Sequence, residues 1–552
     1  MITLLENAKV YDPAHGIDGV KTDIYIRNGH IVAKPSKTIK IHKTIDLTDK
    51  VVMAGAIDMH SHIGGGKVNI ARMMLPEYQE TLKYADPEAH VCGPQCAHNA
   101  TPSTTTTGMH YIEMGYTAAF EPAVLGINAR QAHLEMGDTP MIDKGGYAML
   151  GNDDYFLRLL ANKADQKTIN DYVAWTLNAT QTIGIKVVNP GGINAFKFNQ
   201  RRLDLDEYNK YYQVSPRQIL QSLSRAVHDI GVAKPLHVHC NNLGVAGNFQ
   251  TTLDTMGASD GIPMHLTHIQ FHSYGAEGDK KFSSAAAEIA EAINNNKHIT
   301  ADVGQILFGQ TVTVSGDSMM QHLNAKIANP KKSVMMDIEC DGGCGVVPFK
   351  YRDENYVNAM QWAIGLEVFL SVEDPWRVFL TTDHPNGAPF TSYPHLIRLL
   401  MDKSFRDESF DKLNLDAQAM SNLKAINREY SLYEIAAMTR AGAAKLIGMN
   451  DQGHLGEGAA ANITVYTEQA DKEAMFAKPD YVFKDGELVV KYGEVVKVVW
   501  GKTHTAKPAY DKSVEKDLKD YFDKYHTTQL DNYKISDDEM AADGRNSVTS
   551  HT

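Results

Sequence analysis

Cysteine is scarce in this sequence, with five in 552 residues, an odd number spread over a long chain. That excludes a disulfide framework and points to a reducing, cytoplasmic setting. Apolar runs of about 18 residues or more are missing as well, so no membrane-spanning helix is expected. The first ten residues place Glu6 where a secretory signal would need a long apolar core, and they lack a basic leader. Positive charge is in deficit: 54 Lys and Arg face 67 Asp and Glu, a net charge of −13. A phosphate-binding surface needs a basic footprint, so nucleic acid is not expected as a partner, and neither is a membrane. What the chain does have is histidine, 23 in all, several of them clustered.

The first fifty residues read as short strands broken by turns, among them Asp23-Ile24-Tyr25-Ile26-Arg27 and Ile31-Val32. The same texture returns late, in Ala461-Asn462-Ile463-Thr464-Val465-Tyr466 and Glu487-Leu488-Val489-Val490. Two such segments, distant in sequence, predict one small β-sandwich built from 1–53 and 445–508. Between them, short apolar runs at 51–59, 116–121, 145–150, 184–189, 235–240, 263–269, 298–303 and 376–382 alternate with helical stretches such as 215–230. Strand and helix in alternation, about eight times over ~330 residues, predict an α/β fold with a parallel (β/α)₈ TIM-like barrel. The barrel would span 54–444, with 304–375 inserted before its last strand. Residues 509–552 form a charged, Tyr-rich extension expected to wrap the surface, its last dozen or so residues disordered.

The strand ends carry the chemistry. Ile57-Asp58-Met59-His60-Ser61-His62 ends the first barrel strand. Residues i and i+2 of a strand share a face, so His60 and His62 form a chelating pair suited to zinc. Gly64-Gly65-Gly66 follows, where backbone can approach a ligand closely. In Gly184-Ile185-Lys186-Val187-Val188-Asn189, Lys186 sits in an apolar strand where a bare charge is costly. It is paired with an acid, reaches to the surface, or is chemically altered. Leu236-His237-Val238-His239 and His265-Leu266-Thr267-His268 supply more imidazoles, and Thr381-Thr382-Asp383 ends the eighth strand in an acid. A barrel places catalysis at these carboxyl ends.

His-x-His on strand 1, Lys on strand 4, His on strands 5 and 6 and Asp on strand 8 resemble the amidohydrolase superfamily. Further stretches are similar to a narrower family within it: Gly64–Asn69, Met114–Ala123, Gly184–Gly192, His239–Gly244, Gln361–Glu367 and Thr381–Gly387. That is the A subunit of formylmethanofuran dehydrogenases, which in methylotrophic bacteria belongs to a formyltransferase/hydrolase complex.

The resemblance implies a binuclear zinc site. His60 and His62 would bind one ion with Asp383, His239 and His268 the other, and Lys186, carbamylated by CO₂, would bridge them. His237, one step deeper, stays open as a supporting residue; His265, three residues before His268, is expected on the opposite side of its strand, and His272 in a loop. Asp383 would take a proton from water and pass it to the leaving amine. The substrate would be a formylated furfurylamine C1 carrier of the methanofuran or methylofuran type, hydrolysed to formate and free amine in a reaction reversible in principle. The partners would be the formyltransferase and other subunits of the complex. Asn189 or Asn241 could donate to the carbonyl or act as turn formers. Lys67 and Arg72 could meet an anionic polyglutamyl tail or stay solvated. Cys92/Cys96 and Cys340/Cys344 could hold a structural zinc or lie in plain loops. Two alternatives remain: another amidohydrolase, such as a hydantoinase or an N-acyl amino acid deacylase, and a non-catalytic scaffold subunit.

Overall fold

The structure is a computed structural model that describes residues 1–78, 104–197, 200, 202–316, 336–338, 344–541 and 547–551. Cys92, Cys96 and Cys340 lie outside these residues.

Eight parallel strands form the central sheet: β1 (Ala56–Asp58), β2 (Tyr116–Val124), β3 (Asp143–Leu150), β4 (Gly184–Val188), β5 (Leu236–His239), β6 (Met264–Leu266), β7 (Ile299–Asp302) and β8 (Val378–Phe379). Neighbours pair in sequence order, and Lys186, His237, His265 and Thr300 align in register across β4 to β7. The sheet curls back on itself: Ser61 bridges His384, His62 N–H donates to the His384 carbonyl at 2.9 Å, and the Thr381 hydroxyl donates to the His60 carbonyl at 2.6 Å. The strands are apolar on the outer face because helices such as Gln166–Thr180 and Pro216–Asp229 cover them. Ser215 and Gln218 close a reciprocal capping box at the start of the second of these helices.

Strands from the first 54 residues and from 463–495 build a nine-stranded sheet, whose seam is Lys50–Ala54 antiparallel to Ile463–Thr467, with Val52 opposite Val465. Its own core includes Leu5, Val10, Ile24, Ile26 and Phe483. The run at 51–59, read as one strand, is two. Gly55 breaks it, and a Cβ there would lie 2.3 Å from Thr117 Oγ1, so only glycine lets the chain cross from one sheet to the other against β2. The span inserted between β7 and β8 carries a three-stranded antiparallel sheet (Gly309–Gly316, Met336–Ile338, Cys344–Tyr351) and the helix Tyr356–Ser371.

The end of the chain departs from expectation. Lys502–Ala506, expected with the sandwich, pairs instead with β3, and Ser547–His551, expected to be disordered, pairs in parallel with Lys502–Ala506. Buried Asp143 explains the attachment: its carboxylate accepts the Lys502 N–H at 2.7 Å and Gln452 at 2.6 Å and pairs with Lys484 at 2.9 Å. A buried charge needs such donors. The intervening helix Val514–Tyr525 turns Leu518 and Phe522 inward, and Tyr533 stacks on Trp175. No helix among the described residues is long and apolar enough to cross a membrane.

Candidate metal centre

The six residues singled out as ligands converge at the carboxyl end of the barrel. Lys186 Nζ lies 3.2 Å from His60 Nε2, and Asp383 Oδ1 lies 3.1 Å from His60 Nε2 and 3.5 Å from His62 Nε2. The His268 ring sits 5.5 Å from that of His60 and 4.5 Å from that of His239, centroid to centroid. All are buried on strands or just past their ends. His62, Lys186, His239, His268 and Asp383 line a cleft together with Gly64, Gly65, Gly66 and Lys67.

Two carboxylates with no role assigned from sequence hold the rings in place. Glu121, on β2, reaches His62 Nδ1 at 2.8 Å and accepts the N–H groups of Ile63 at 2.7 Å and Gly64 at 3.1 Å. Asp302, ending β7, lies 2.9 Å from His60 Nδ1 and 3.0 Å from His265 Nε2, and accepts the His268 N–H at 2.6 Å. With Nδ1 occupied on His60 and His62, each Nε2 is turned toward Asp383, the usual arrangement for an oriented metal-binding imidazole. Asp58 supports β1 from beneath through Tyr111, Tyr393 and the His60 N–H.

His265 belongs on the inner face, contrary to expectation. β6 ends at Leu266, and His268 takes a left-handed backbone (φ 37°, ψ 52°), so strand alternation does not carry from one to the other. Asp383 is left-handed too, at φ 50°. Such strain in non-glycine residues clusters at working sites. Gly304 makes room for the first of these turns, since a Cβ there would lie 2.3 Å from His268 Cβ. His272 lies beyond the strand, where it closes the short turn Ile269–His272 and is fully buried. His237 lies deeper, stacked on Tyr147 with ring centroids 4.1 Å apart.

The remaining candidates divide. Lys67 lines the cleft. Arg72 is buried and directed at the protein, donating to Glu135 at 2.8 Å and to the Ile63 carbonyl. Asn241 donates to the Asn189 side chain and to the Pro190 carbonyl, each at 3.0 Å, so the two asparagines lock their turns together.

Electrostatics follows from burial. Burial pulls the Lys186 amine below its ordinary 10.5, although Asp383, Asp302 and Glu121 pull the other way. It drives His268 down to about 3, and it holds His239 and His272 well below 6.5 with help from neighbouring His268. These three rings are therefore neutral, the ligand form. Burial would raise Asp383, yet hydrogen bonding to His60 and His62 holds its carboxyl well below the usual carboxylate range. Burial lowers His62, but Glu121 and Asp383 prevail and raise it from 6.5 to about 9.

A barrel of this topology with ligand-type side chains from strands 1, 4, 5, 6 and 8 defines a class, and the chain belongs to the amidohydrolase family, whose model matches residues 43–496. Within that family its relatives are more particular. It is 42% identical over 544 residues, 97% of each chain, to the A component of the formyltransferase/hydrolase complex Fhc of Methylorubrum extorquens. It is 40% identical, again over 97% of each, to the protein FwdA of Methanocaldococcus jannaschii. A chain in the crystal structure of the M. extorquens formyltransferase/hydrolase complex (FhcABCD) with methylofuran superposes with a TM-score of 0.90 at 41% identity, over 100% of both chains.

Proposed function

We propose that this chain is a metal-dependent amidohydrolase subunit that cleaves the formamide of a formylated furfurylamine C1 carrier, giving formate and free amine, in the cytoplasm. It would do so within a formyltransferase/hydrolase assembly of one-carbon metabolism, and the reaction is reversible in principle. The carrying observation is the relative crystallised with methylofuran, matched at 41% identity over the whole chain, together with His62, Lys186, His239, His268 and Asp383 lining one cleft beside buried His60.

The donor set fits two divalent ions, zinc being the natural choice for imidazole and carboxylate. Two groups of side chains, His60/His268/Asp383 and His239/His268/His272, each bring ligand atoms within 4.8 Å of one another. His268 Nδ1 has no hydrogen-bond partner among the described residues although it is fully buried. His60, His62 and Asp383 would hold one ion, and His239 and His268 the other. Lys186 would bridge them as a carbamate: the neutral amine adds to CO₂, forming an N–C bond and releasing one proton. A buried cation then becomes a carboxylate ligand, which fits its apolar strand and the pull of burial toward the free amine.

When bound, the ions polarise the formyl carbonyl and acidify water. Asp383, beside His60 and His62, takes the proton as water adds to the formyl carbon. It returns that proton to nitrogen as the C–N bond breaks, so that the amine leaves neutral. Glu121 and Asp302 keep the imidazoles in register throughout. Gly64 to Gly66 and Lys67 line the cleft where the rest of the carrier would lie.

Formate release from an N-formyl furfurylamine, measured beside hydantoin and N-acyl amino acid hydrolysis with the assembled complex, tests the substrate. Turnover of hydantoins alone would sink the reading. Metal content near zero would favour a scaffold role.

A further inference from the structure

His272 plays no part in the chemistry proposed for the centre, yet it is the most conspicuous unused group near it. It is 0% exposed, and neither ring nitrogen has a hydrogen-bond partner among the described residues. A neutral imidazole carries one donor and one acceptor, so leaving both unpaired in the interior is costly. Loose placement does not account for it. The turn Ile269–His272 is pinned to the helix Phe249–Gly257 and its leading residue: the Thr252 hydroxyl donates to the His272 carbonyl at 2.8 Å, and Asn248 donates to the Phe271 carbonyl at 2.8 Å. His237, also unpaired, differs, because its ring is spent on a face-to-face stack with Tyr147 below the cleft.

The rings around His272 have a specific geometry. Its centroid lies 5.1 Å from that of His239 and 5.3 Å from that of His268, and those two lie 4.5 Å apart. Three imidazoles on one tetrahedral zinc, each nitrogen about 2.0–2.1 Å from the ion, place their ring centroids about 5 Å apart. The triangle already has that size. One ligand atom from each ring falls within 4.8 Å of the others.

We propose that His272 is a third imidazole ligand of the second metal subsite, which with His239 and His268 holds a divalent ion without the modified Lys186. The inference rests on the proposed metal centre and deepens it. The three-histidine subsite is self-sufficient, so it loads first, and the ion held through the Lys186 bridge follows.

The test strips the full-length protein with a chelator and adds back zinc or cobalt, counting ions per chain and following the cobalt visible spectrum. Lys186→Gln is expected to keep about one ion per chain, with tetrahedral cobalt absorption. Adding His272→Phe to it should weaken that ion roughly tenfold or more and abolish the tetrahedral bands. Thermal unfolding of the metal-free forms reports folding, and His272→Gln, carried in parallel, covers any misfit of the phenyl ring. Wild-type-like metal affinity in Lys186→Gln/His272→Phe overturns the assignment of His272 alone. A wild-type chain that binds no metal overturns the metal centre and this inference with it.

Discussion

Asp302 Oδ2 and His60 Nδ1 lie 2.9 Å apart, fully buried, although 242 residues separate them in the chain. The same carboxylate takes the backbone N–H of His268, so one side chain on β7 orients ligand-type residues from two other strands.

Asp302→Asn therefore should preserve the shape of the site but lose the charge that fixes the His60 ring. Metal affinity is expected to fall about 10–100-fold, the usual cost of losing such a partner. Competition titration against a chromophoric chelator reads this directly. Unchanged affinity would mean that Asp302 serves only the fold.

Lys186→Ala should abolish formate release and leave no more than one metal ion per chain. Peptide mass spectrometry of the native protein, under conditions that retain carbamate, should show Lys186 heavier by one CO₂. Two ions per chain in the variant would overturn the bridging role.

Glu121→Gln should change how the metal-free protein responds to pH. His62 is raised from 6.5 to about 9 in the folded chain, by Glu121 and Asp383 against burial. A raised pKa means that the folded state binds the proton more tightly than the unfolded one. The stability it contributes is full below about pH 6.5 and is lost as pH rises through about 9. The melting temperature of metal-free wild type should thus fall across that window relative to Glu121→Gln. Parallel curves would exclude the pair as a source of stability. The same proton competes with the metal, so affinity should rise with pH over this range.

Gly304→Ala should act on the centre through the backbone turn that carries His268. The added Cβ meets His268 Cβ at 2.3 Å, and Gly304 has φ +65°, unfavourable for alanine. A cost of about 1–3 kcal/mol is expected from the strain alone. Denaturant unfolding would measure it, with metal affinity reduced in step. A variant as stable as wild type would show that the β6 turn relaxes easily.

The parts of the site legible in the sequence were those with short-range signatures. Alternation within a strand paired His60 with His62, and an apolar run around Lys186 made its charge conspicuous. Position at the end of the last barrel strand singled out Asp383. Glu121 and Asp302 carried no comparable mark, because a carboxylate that orients a ring on another strand leaves no local pattern. His265 was misplaced for a related reason: the left-handed turn at His268 breaks the alternation by which its side chain would be assigned.

Local sequence thus determined the order of strands and helices, the two β-rich ends and most of the ligand-type residues, since hydrophobic periodicity and turn chemistry act over a few residues. Only the tertiary structure decided which carboxylates steady which imidazoles, that Gly55 parts one apparent strand between two sheets, and that the end of the chain joins the barrel through Asp143. Those choices belong to the closed sheet, where buried polar groups must find partners wherever in the chain they lie.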